Sequence, residues 1–95
     1  MKTRVELDSQ VADFVRSLAP EPRKAVRAAL RMLQGERGDL KPLEGELHGF
    51  TRLRVRHYRV IVQFVSRAGR RIARCVYAER RSMVYELFSE ILRGQ

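Results

Sequence analysis

The chain has 95 residues, 44% of them hydrophobic and 33% charged, with a formal net charge of +9 at pH 7. This size fits one domain, residues 1–95, whose hydrophobic core needs neither a metal nor a disulfide to hold it together. No apolar run approaches the roughly 20 residues of a membrane span, and residues 1–8 offer no apolar signal segment, so we expect a cytoplasmic protein without membrane contact, metal or cofactor.

The first part of the chain predicts a strand followed by two helices. Residues 2–7 alternate in polarity and are interpreted as a short strand. Apolar residues with helical spacing then follow a cap at Asp8 or Ser9. A proline-containing segment at 19–22 ends that helix and begins a second one, which is expected to run to a C-terminal cap at Gly35. The two helices together predict an antiparallel hairpin.

The second part predicts a loop, three strands and a last helix. Residues 35–46 contain three glycines and a proline and are interpreted as an exposed loop. Runs of β-branched and aromatic residues at 50–55, 58–65 and 71–77 predict strands, whose short connections allow only antiparallel neighbours. An apolar stripe predicts a helix at 81–92 that docks on the sheet. The order β-α-α-β-β-β-α therefore indicates an α+β fold with a twisted antiparallel sheet.

The positive charge is confined to one third of the chain. Residues 51–81 contain ten arginines and one acid, Glu79, whereas the remaining residues have equal numbers of basic and acidic side chains. A field concentrated in this way attracts polyanions, so nucleic acid is the first partner to consider. A GC-rich genome would explain arginine in place of lysine, but it would not explain the absence of acids here. The one cysteine, Cys75, lies in an apolar run of this segment and is expected to be a buried, reduced thiol.

Arginines on neighbouring strands form the first candidate site. Arg52, Arg54 and Arg56 alternate with aliphatic residues, and the period of a strand therefore places them on one face. Arg59 begins the next strand across a tight turn and is expected within reach of Arg54 or Arg56. A solvated sheet face without function would show the same alternation, but the adjacent Arg59 favours a surface that binds anions.

The last predicted helix contributes a second cluster. Arg81 and Tyr85 are four residues apart and would share one face of that helix. Tyr85 lies at the edge of the apolar stripe, where its ring can pack while its hydroxyl reaches solvent or a ligand. The alternative is a boundary tyrosine with a structural role alone, and the nearby Arg81 favours the functional interpretation.

The stretch 41–63 resembles the signature of the RelE/ParE superfamily of toxins from bacterial and archaeal toxin-antitoxin modules. Its core is Leu-x-Gly, then Arg-Leu-Arg-Val, then Tyr-Arg-Val-Ile. Arg-Arg-Ser-Met-Val-Tyr at 80–85 is similar to the closing motif of the family. The order of elements and the length also agree, so the chain is identified as a RelE-like member of this superfamily.

The resemblance implies an activity and its partners. RelE-like members cleave messenger RNA in the ribosomal A site, and ParE-like members poison DNA gyrase. The arginine and tyrosine of the closing motif favour the endoribonuclease, with messenger RNA, the ribosome and a co-encoded antitoxin as partners. A gyrase poison is the alternative, as is a degenerate basic module that binds nucleic acid or antitoxin without catalysis.

The resemblance also implies roles for individual residues. In the expected reaction the 2′-hydroxyl of a nucleotide attacks its own 3′-phosphate, and arginines stabilise the charge that develops on the phosphate oxygens. The expected catalytic residues are Arg54, Arg59, Arg81 and Tyr85. The expected additional RNA contacts are Arg52, Arg56, Arg74 and Arg80.

The expected mechanism also needs a general base, which the arginines of the strand do not supply. Some RelE-like enzymes carry lysines where this chain has Arg52 and Arg54, and arginine does not practically lose its proton. Glu79 stands where some RNA-cleaving relatives have a basic residue, and it is expected to weaken the local field or to orient Arg81 through a salt bridge. The candidates for the base are His57 first, then Tyr85, His48, Glu44 and Glu46.

Overall fold

A five-stranded sheet forms the centre of the protein in a computed structural model that describes residues 2–94. The strands are β1 (Arg4–Leu7), β2 (Asp39–Pro42), β3 (Thr51–Val55), β4 (Tyr58–Arg67) and β5 (Arg70–Arg80). The helices are α1 (Ser9–Ser17), α2 (Pro20–Met32) and α3 (Val84–Arg93), with 3₁₀ turns at Leu33–Gly35 and Gly45–Leu47. The order of strands across the sheet is β1-β5-β4-β3-β2.

The α+β class is confirmed and the predicted elements occur in the predicted order, but the sheet has one additional strand, β2, and is mixed rather than wholly antiparallel. β1 lies parallel to β5, whereas the other neighbouring strands are antiparallel. Short connections enforce antiparallel pairing among the later strands only. β1 is separated from β5 by most of the chain, and it is therefore free to pair in either direction. No helix within residues 2–94 is long and apolar enough to cross a membrane.

The segment 35–46, expected to be an exposed loop, contains the edge strand β2. Its four residues pair antiparallel with β3. Leu40 is the one apolar residue of this strand that packs against the core, between two polar neighbours. The loop prediction was wrong because a four-residue strand, flanked by glycine and ending in proline, carries too weak a pattern to stand out.

Two hydrophobic clusters lie on opposite faces of the sheet. The larger cluster packs the helical hairpin against the sheet, and the smaller one packs α3 on the other side. The larger cluster includes Val11, Val26, Leu33, Leu53, Val60 and Cys75. The smaller cluster is built from Leu47, Ile61, Val84 and Phe88. The sheet is thus covered on both faces, with α3 lying on the face opposite the hairpin.

The last helix begins later than expected. Residues 81–83 form a turn, and α3 starts only at Val84. The backbone N–H of Arg81 donates a 2.7 Å hydrogen bond to the carbonyl of His57, which ties this junction to the β3–β4 turn. Arg81 and Tyr85 therefore do not share a helix face, and that prediction was wrong.

The end of α2 also differs from the expected glycine cap. Gly35 lies inside the 3₁₀ turn that extends the helix, and Glu36 takes the left-handed conformation with φ of 53°. The Glu36 carboxylate accepts hydrogen bonds from the Arg71 guanidinium at 3.1 Å and from the Thr3 hydroxyl at 2.7 Å. These two donors, Arg71 above all, hold the pKa of Glu36 below its usual value. The side-chain bonds stabilise a conformation that a residue other than glycine seldom adopts.

Cys75 is fully buried in β5, as expected. Burial, with a smaller effect of the Asp8 carboxylate, raises the pKa of its thiol to about 12. The thiol therefore stays protonated at neutral pH, and a protonated thiol is a poor nucleophile. We expect iodoacetamide at pH ~8 to alkylate the native protein more than about tenfold slower than the urea-unfolded chain. Mass spectrometry measures both rates, and equal rates would contradict the buried position.

Candidate nucleic-acid interface

The register of the sheet places two predicted site arginines side by side on neighbouring strands. Arg54 of β3 lies directly opposite Arg59 of β4, and the same row continues to Asp39 on β2 and Glu79 on β5. Directly opposed residues of antiparallel strands lie on the same face. Ile61, two residues beyond Arg59, packs beneath α3. This charged row (Asp39, Arg54, Arg59 and Glu79) therefore lies on the α3 face of the sheet.

The predicted alternation along β3 is confirmed for Arg52 and Arg54, but the prediction that Arg56 shares their face was wrong. Leu53 and Val55 are buried in the cluster beneath the helical hairpin, whereas Arg54 is exposed on the opposite face. Arg52, two residues earlier, shares the face of Arg54. Arg56 leaves the strand, because its φ of 56° places it in the left-handed region at the start of the β3–β4 turn. The basic face of β3 thus consists of two arginines, followed by a third in the turn.

Asp39 binds the arginines of β3 unequally. Nη1 of Arg52 donates to both the carbonyl and Oδ1 of Asp39, at 3.0 Å each, whereas Nε of Arg54 is 3.8 Å from Oδ2. The Arg52 side chain is 16% exposed and that of Arg54 is 56% exposed. The hydrogen bond from Arg52, with the charges of Arg54 and Arg59, holds the pKa of Asp39 below its usual range. Arg52 is therefore bound to the edge strand, and Arg54 is the arginine open to a ligand.

Arg59 is buried, with only 6% of the residue exposed. Its Nη1 donates to the carbonyls of Arg56 at 3.0 Å and Tyr58 at 2.9 Å. These bonds satisfy two backbone acceptors of the β3–β4 turn with a charged donor. Arg59 thus stabilises the turn and adds its charge to the row beside Arg54.

A cleft of about 520 Å³ opens beside the same turn. It is lined by His57, Arg80, Arg81 and Ser82. The hydrogen bond from the Arg81 amide to the His57 carbonyl holds the two sides of the cleft together. Arg81 therefore contacts the β3–β4 turn that Arg59 also binds, although the residues that line the cleft do not include Arg54 or Arg59.

Two predicted RNA-contacting arginines lie away from the charged row. Arg80 is opposite Tyr58, which packs against the hairpin cluster, so it lies on the other face of β5 while lining the cleft. Arg74 of β5 lies opposite Gln63, which is four residues along β4 from Arg59, so it is roughly 13 Å from the row. Its guanidinium is 3.6 Å from the Asp8 carboxylate. A separate cavity of about 570 Å³, near the β4–β5 turn, is lined by residues outside the predicted set: Lys2, Arg4, Gly69, Arg70 and Arg71.

Tyr85 lies at the edge of the apolar stripe as expected, whereas Glu79 does not form the expected ion pair with Arg81. Tyr85 is half-buried against the cluster beneath α3, and the residues that line the cleft do not include it. Glu79 accepts the backbone N–H of Arg80 at 2.9 Å through Oε1. Within residues 2–94 the ion pairs include none between Glu79 and Arg81. The salt bridge expected to orient Arg81 is therefore not formed, and the hydrogen bond to His57 fixes only the backbone of Arg81.

Comparison with known proteins gives matches among solved structures. A chain of the RelBE2 toxin-antitoxin complex from Mycobacterium tuberculosis superposes with a TM-score of 0.71 and 20% identity, covering 85% of this chain and 100% of that one. A mutant of the E. coli toxin RelE in the free state gives 0.71 and 16%, over 99% and 98%. The archaeal RelE-RelB complex from Pyrococcus horikoshii OT3 gives 0.66 and 23%, over 88% and 100%. The chain has the RelE fold. No protein-family model and no curated protein matches it in sequence.

The candidate bases are spread over this RelE fold. His57 is exposed and lines the cleft with Arg81. Glu46 accepts a 3.0 Å hydrogen bond from Arg93 at the C-terminal end of α3, away from the cleft. Glu44 and His48 flank the same 3₁₀ turn as Glu46. His57 is therefore the base candidate that the structure brings next to the arginines. No group of three metal-ligating side chains occurs within residues 2–94.

Two residues of the interface were not predicted from the sequence. Asp39 belongs to the charged row, and Lys41 lies opposite Arg52 in the next row of the same face. Both were missed because β2 was interpreted as part of a loop. The available signal was the alternation of polar and apolar residues around Leu40. Lys41 adds an exposed ammonium group to the edge of the basic face.

Proposed function

We propose that this protein is the toxin of a toxin-antitoxin module and that it cleaves messenger RNA on the ribosome. The observation that supports this most is the pairing of Arg54 with Arg59 on one sheet face, beside the turn to which Arg81 is bound. We infer that the guanidinium groups of these three segments converge on one ligand. Such a set suits a phosphodiester, since each planar group can donate two hydrogen bonds to phosphate oxygens.

The proposed reaction uses the RNA's own 2′-hydroxyl as the nucleophile. Its oxygen bonds to the adjacent phosphorus, the bond to the 5′-oxygen breaks, and the products are a cyclic phosphate and a free 5′-hydroxyl. Arg54 binds the non-bridging oxygens from the exposed face, and Arg81 binds them from the side of the cleft. Arg59 adds a fixed positive charge behind them, because its Nη1 is already engaged by the turn. Preorganised donors of this kind typically contribute roughly 10² to 10³ in rate each.

His57 is proposed to exchange protons with the reacting oxygens. It lines the cleft beside Arg81, and imidazole is the side chain best suited to proton transfer near neutral pH. Tyr85 is proposed to pack against the target nucleotide, since single-stranded RNA is commonly bound by aromatic side chains. Tyr85 is half-buried, so part of this residue remains accessible for that contact at the edge of α3.

Cleavage on programmed ribosomes tests the proposed activity. Purified ribosomes carrying a defined A-site codon are mixed with the protein, and primer extension maps the new 5′ ends. We expect cuts within the A-site codon and none in the same RNA without ribosomes. Intact RNA together with inhibition of gyrase supercoiling would support the gyrase poison instead. Intact RNA with tight RNA binding and no toxicity would support a non-catalytic binding module.

A co-encoded antitoxin is the proposed partner. The structure from M. tuberculosis is of a toxin-antitoxin complex, and the structure from P. horikoshii is of a RelE-RelB complex. An acidic, partly disordered segment that folds over the basic face would neutralise its charge on binding. We therefore expect that cells in which this chain stops growth will grow again when they also express an acidic product of a neighbouring reading frame. That product is also expected to co-purify with this chain. A product that restores growth without binding would contradict this part of the proposal.

A further inference from the structure

Asp39 already places a negative charge among the arginines of the basic face. Its carboxylate lies on the edge strand, and its side chain is 53% exposed. It is bonded to Arg52 and lies directly opposite Arg54, and Arg59 follows in the same row on the next strand. A ligand phosphate that approaches Arg54 from solvent therefore meets an anion of the protein itself.

The contacts of Asp39 differ in strength. Arg52 is bound at 3.0 Å through both the carboxylate and the backbone carbonyl of Asp39. The 3.8 Å separation from Nε of Arg54 is too long for a hydrogen bond, and it leaves an attraction between charges only. An anion that takes the place of the Asp39 carboxylate beside Arg54 does not compete for the carbonyl of Asp39, so this bond from Arg52 can remain. Replacement of the Asp39 carboxylate by a ligand phosphate would therefore change the ion pair of Arg54, whereas Arg52 would stay bonded to β2.

We propose that Asp39 is an internal competitor for the phosphate that binds Arg54. In the free protein its carboxylate pairs with Arg54, and a backbone phosphate of single-stranded RNA replaces it while Arg52 keeps its bonds to β2. Asp39 thereby reduces the repulsion within the row when no ligand is present, and it lowers the affinity of the face for polyanions. The proposal rests on the proposed function only in taking RNA as the ligand.

The substitution Asp39→Asn tests the competition directly. The amide oxygen of asparagine can still accept the bond from Arg52, but the negative charge is gone. Binding is followed by fluorescence anisotropy with a labelled single-stranded 2′-O-methyl RNA, which lacks the free 2′-hydroxyl and cannot be cleaved. Because surface ion pairs are weak, we expect Asp39→Asn to bind roughly three- to fivefold more tightly than the parent at moderate salt.

Asp13→Asn is the matched control. Asp13 is also an exposed aspartate paired with an arginine, Arg16, but it lies on α1. Removing its charge is expected to change RNA affinity by less than about 1.5-fold, because screening limits the reach of a surface charge. Equal gains in RNA affinity for Asp13→Asn and Asp39→Asn would show that net charge alone determines the effect, and they would overturn the proposal.

A double variant separates competition at Arg54 from a structural role of Asp39. In an Arg54→Ala background the gain from Asp39→Asn is expected to disappear, because the arginine for which the two anions compete is absent. A gain that persists without Arg54, a loss of affinity on Asp39→Asn, or no RNA binding by the parent would each overturn the inference. The RNA analogue cannot react, so a failure of cleavage on ribosomes leaves this result standing, and the two proposals fail separately.

Discussion

Arg54→Ala is expected to slow messenger cleavage on programmed ribosomes by roughly 10² to 10³-fold while it changes the free energy of unfolding by less than about 0.5 kcal/mol. The activity falls because a preorganised donor to the phosphate is lost. Stability is retained because the Arg54 side chain is 56% exposed and its contact with Asp39 is an ion pair at 3.8 Å. Primer extension measures the cleavage rate, and urea unfolding measures the stability.

Arg27→Ala is the matched control for this prediction. Arg27 is an exposed arginine on α2, on the other side of the sheet from the charged row, and its substitution removes the same charge. We expect cleavage within about twofold of the parent rate. Equal losses in the Arg27 and Arg54 variants would mean that total charge, not the position of Arg54, governs activity. Full activity of Arg54→Ala would exclude this residue from the site.

The basic face of β3 and β4 could be predicted because it depends on short-range rules. The period of a strand separates Arg54 from Leu53, and the tight turn determines that Arg59 returns beside Arg54. Both features involve residues within a few positions of one another. A pattern that repeats over such a short distance is unaffected by the packing of distant elements.

The burial of Arg52 and Arg59 could not be predicted in the same way. Arg52 is bound by a carbonyl and a carboxylate of β2, an element that the sequence did not reveal. Arg59 is bound by carbonyls whose directions depend on the left-handed conformation of Arg56. In each case the acceptor belongs to the backbone, and residue identity carries no signal for it.

The sequence also could not predict which face of the sheet each residue of β5 occupies, because successive residues of this strand do not lie on alternate faces throughout. The register between β4 and β5 shifts between Ile61 and Val62, so that Ala78 and Cys75 both pack in the hairpin cluster although they are an odd number of residues apart. A bulge of this kind moves every later side chain to the opposite face. Strict alternation would place Arg74 and Arg80 on the same face, because they are an even number of residues apart. The bulge places them on opposite faces.

Arg59→Ala is expected to lower both activity and stability, in contrast to Arg54→Ala. Cleavage should fall by at least about 10²-fold, because the charge behind the phosphate is lost. The free energy of unfolding should fall by roughly 1.5 to 3 kcal/mol, because the carbonyls of Arg56 and Tyr58 lose a charged donor. Primer extension and urea unfolding measure the two effects on the same preparation.

The contact of Arg81 with the β3–β4 turn connects the expected loss of activity of Arg59→Ala with its expected loss of stability. Its amide is bonded to the carbonyl of His57, between the two carbonyls that Arg59 holds. If Arg59 fixes this turn, its removal should also speed hydrogen exchange at the Arg81 amide, which NMR can follow residue by residue. Arg59→Lys keeps the charge but not the planar group, so it should retain part of the activity and stability. An active but destabilised Arg59→Ala would assign this arginine to the fold alone, whereas an inactive variant of parental stability would show that the turn does not depend on it.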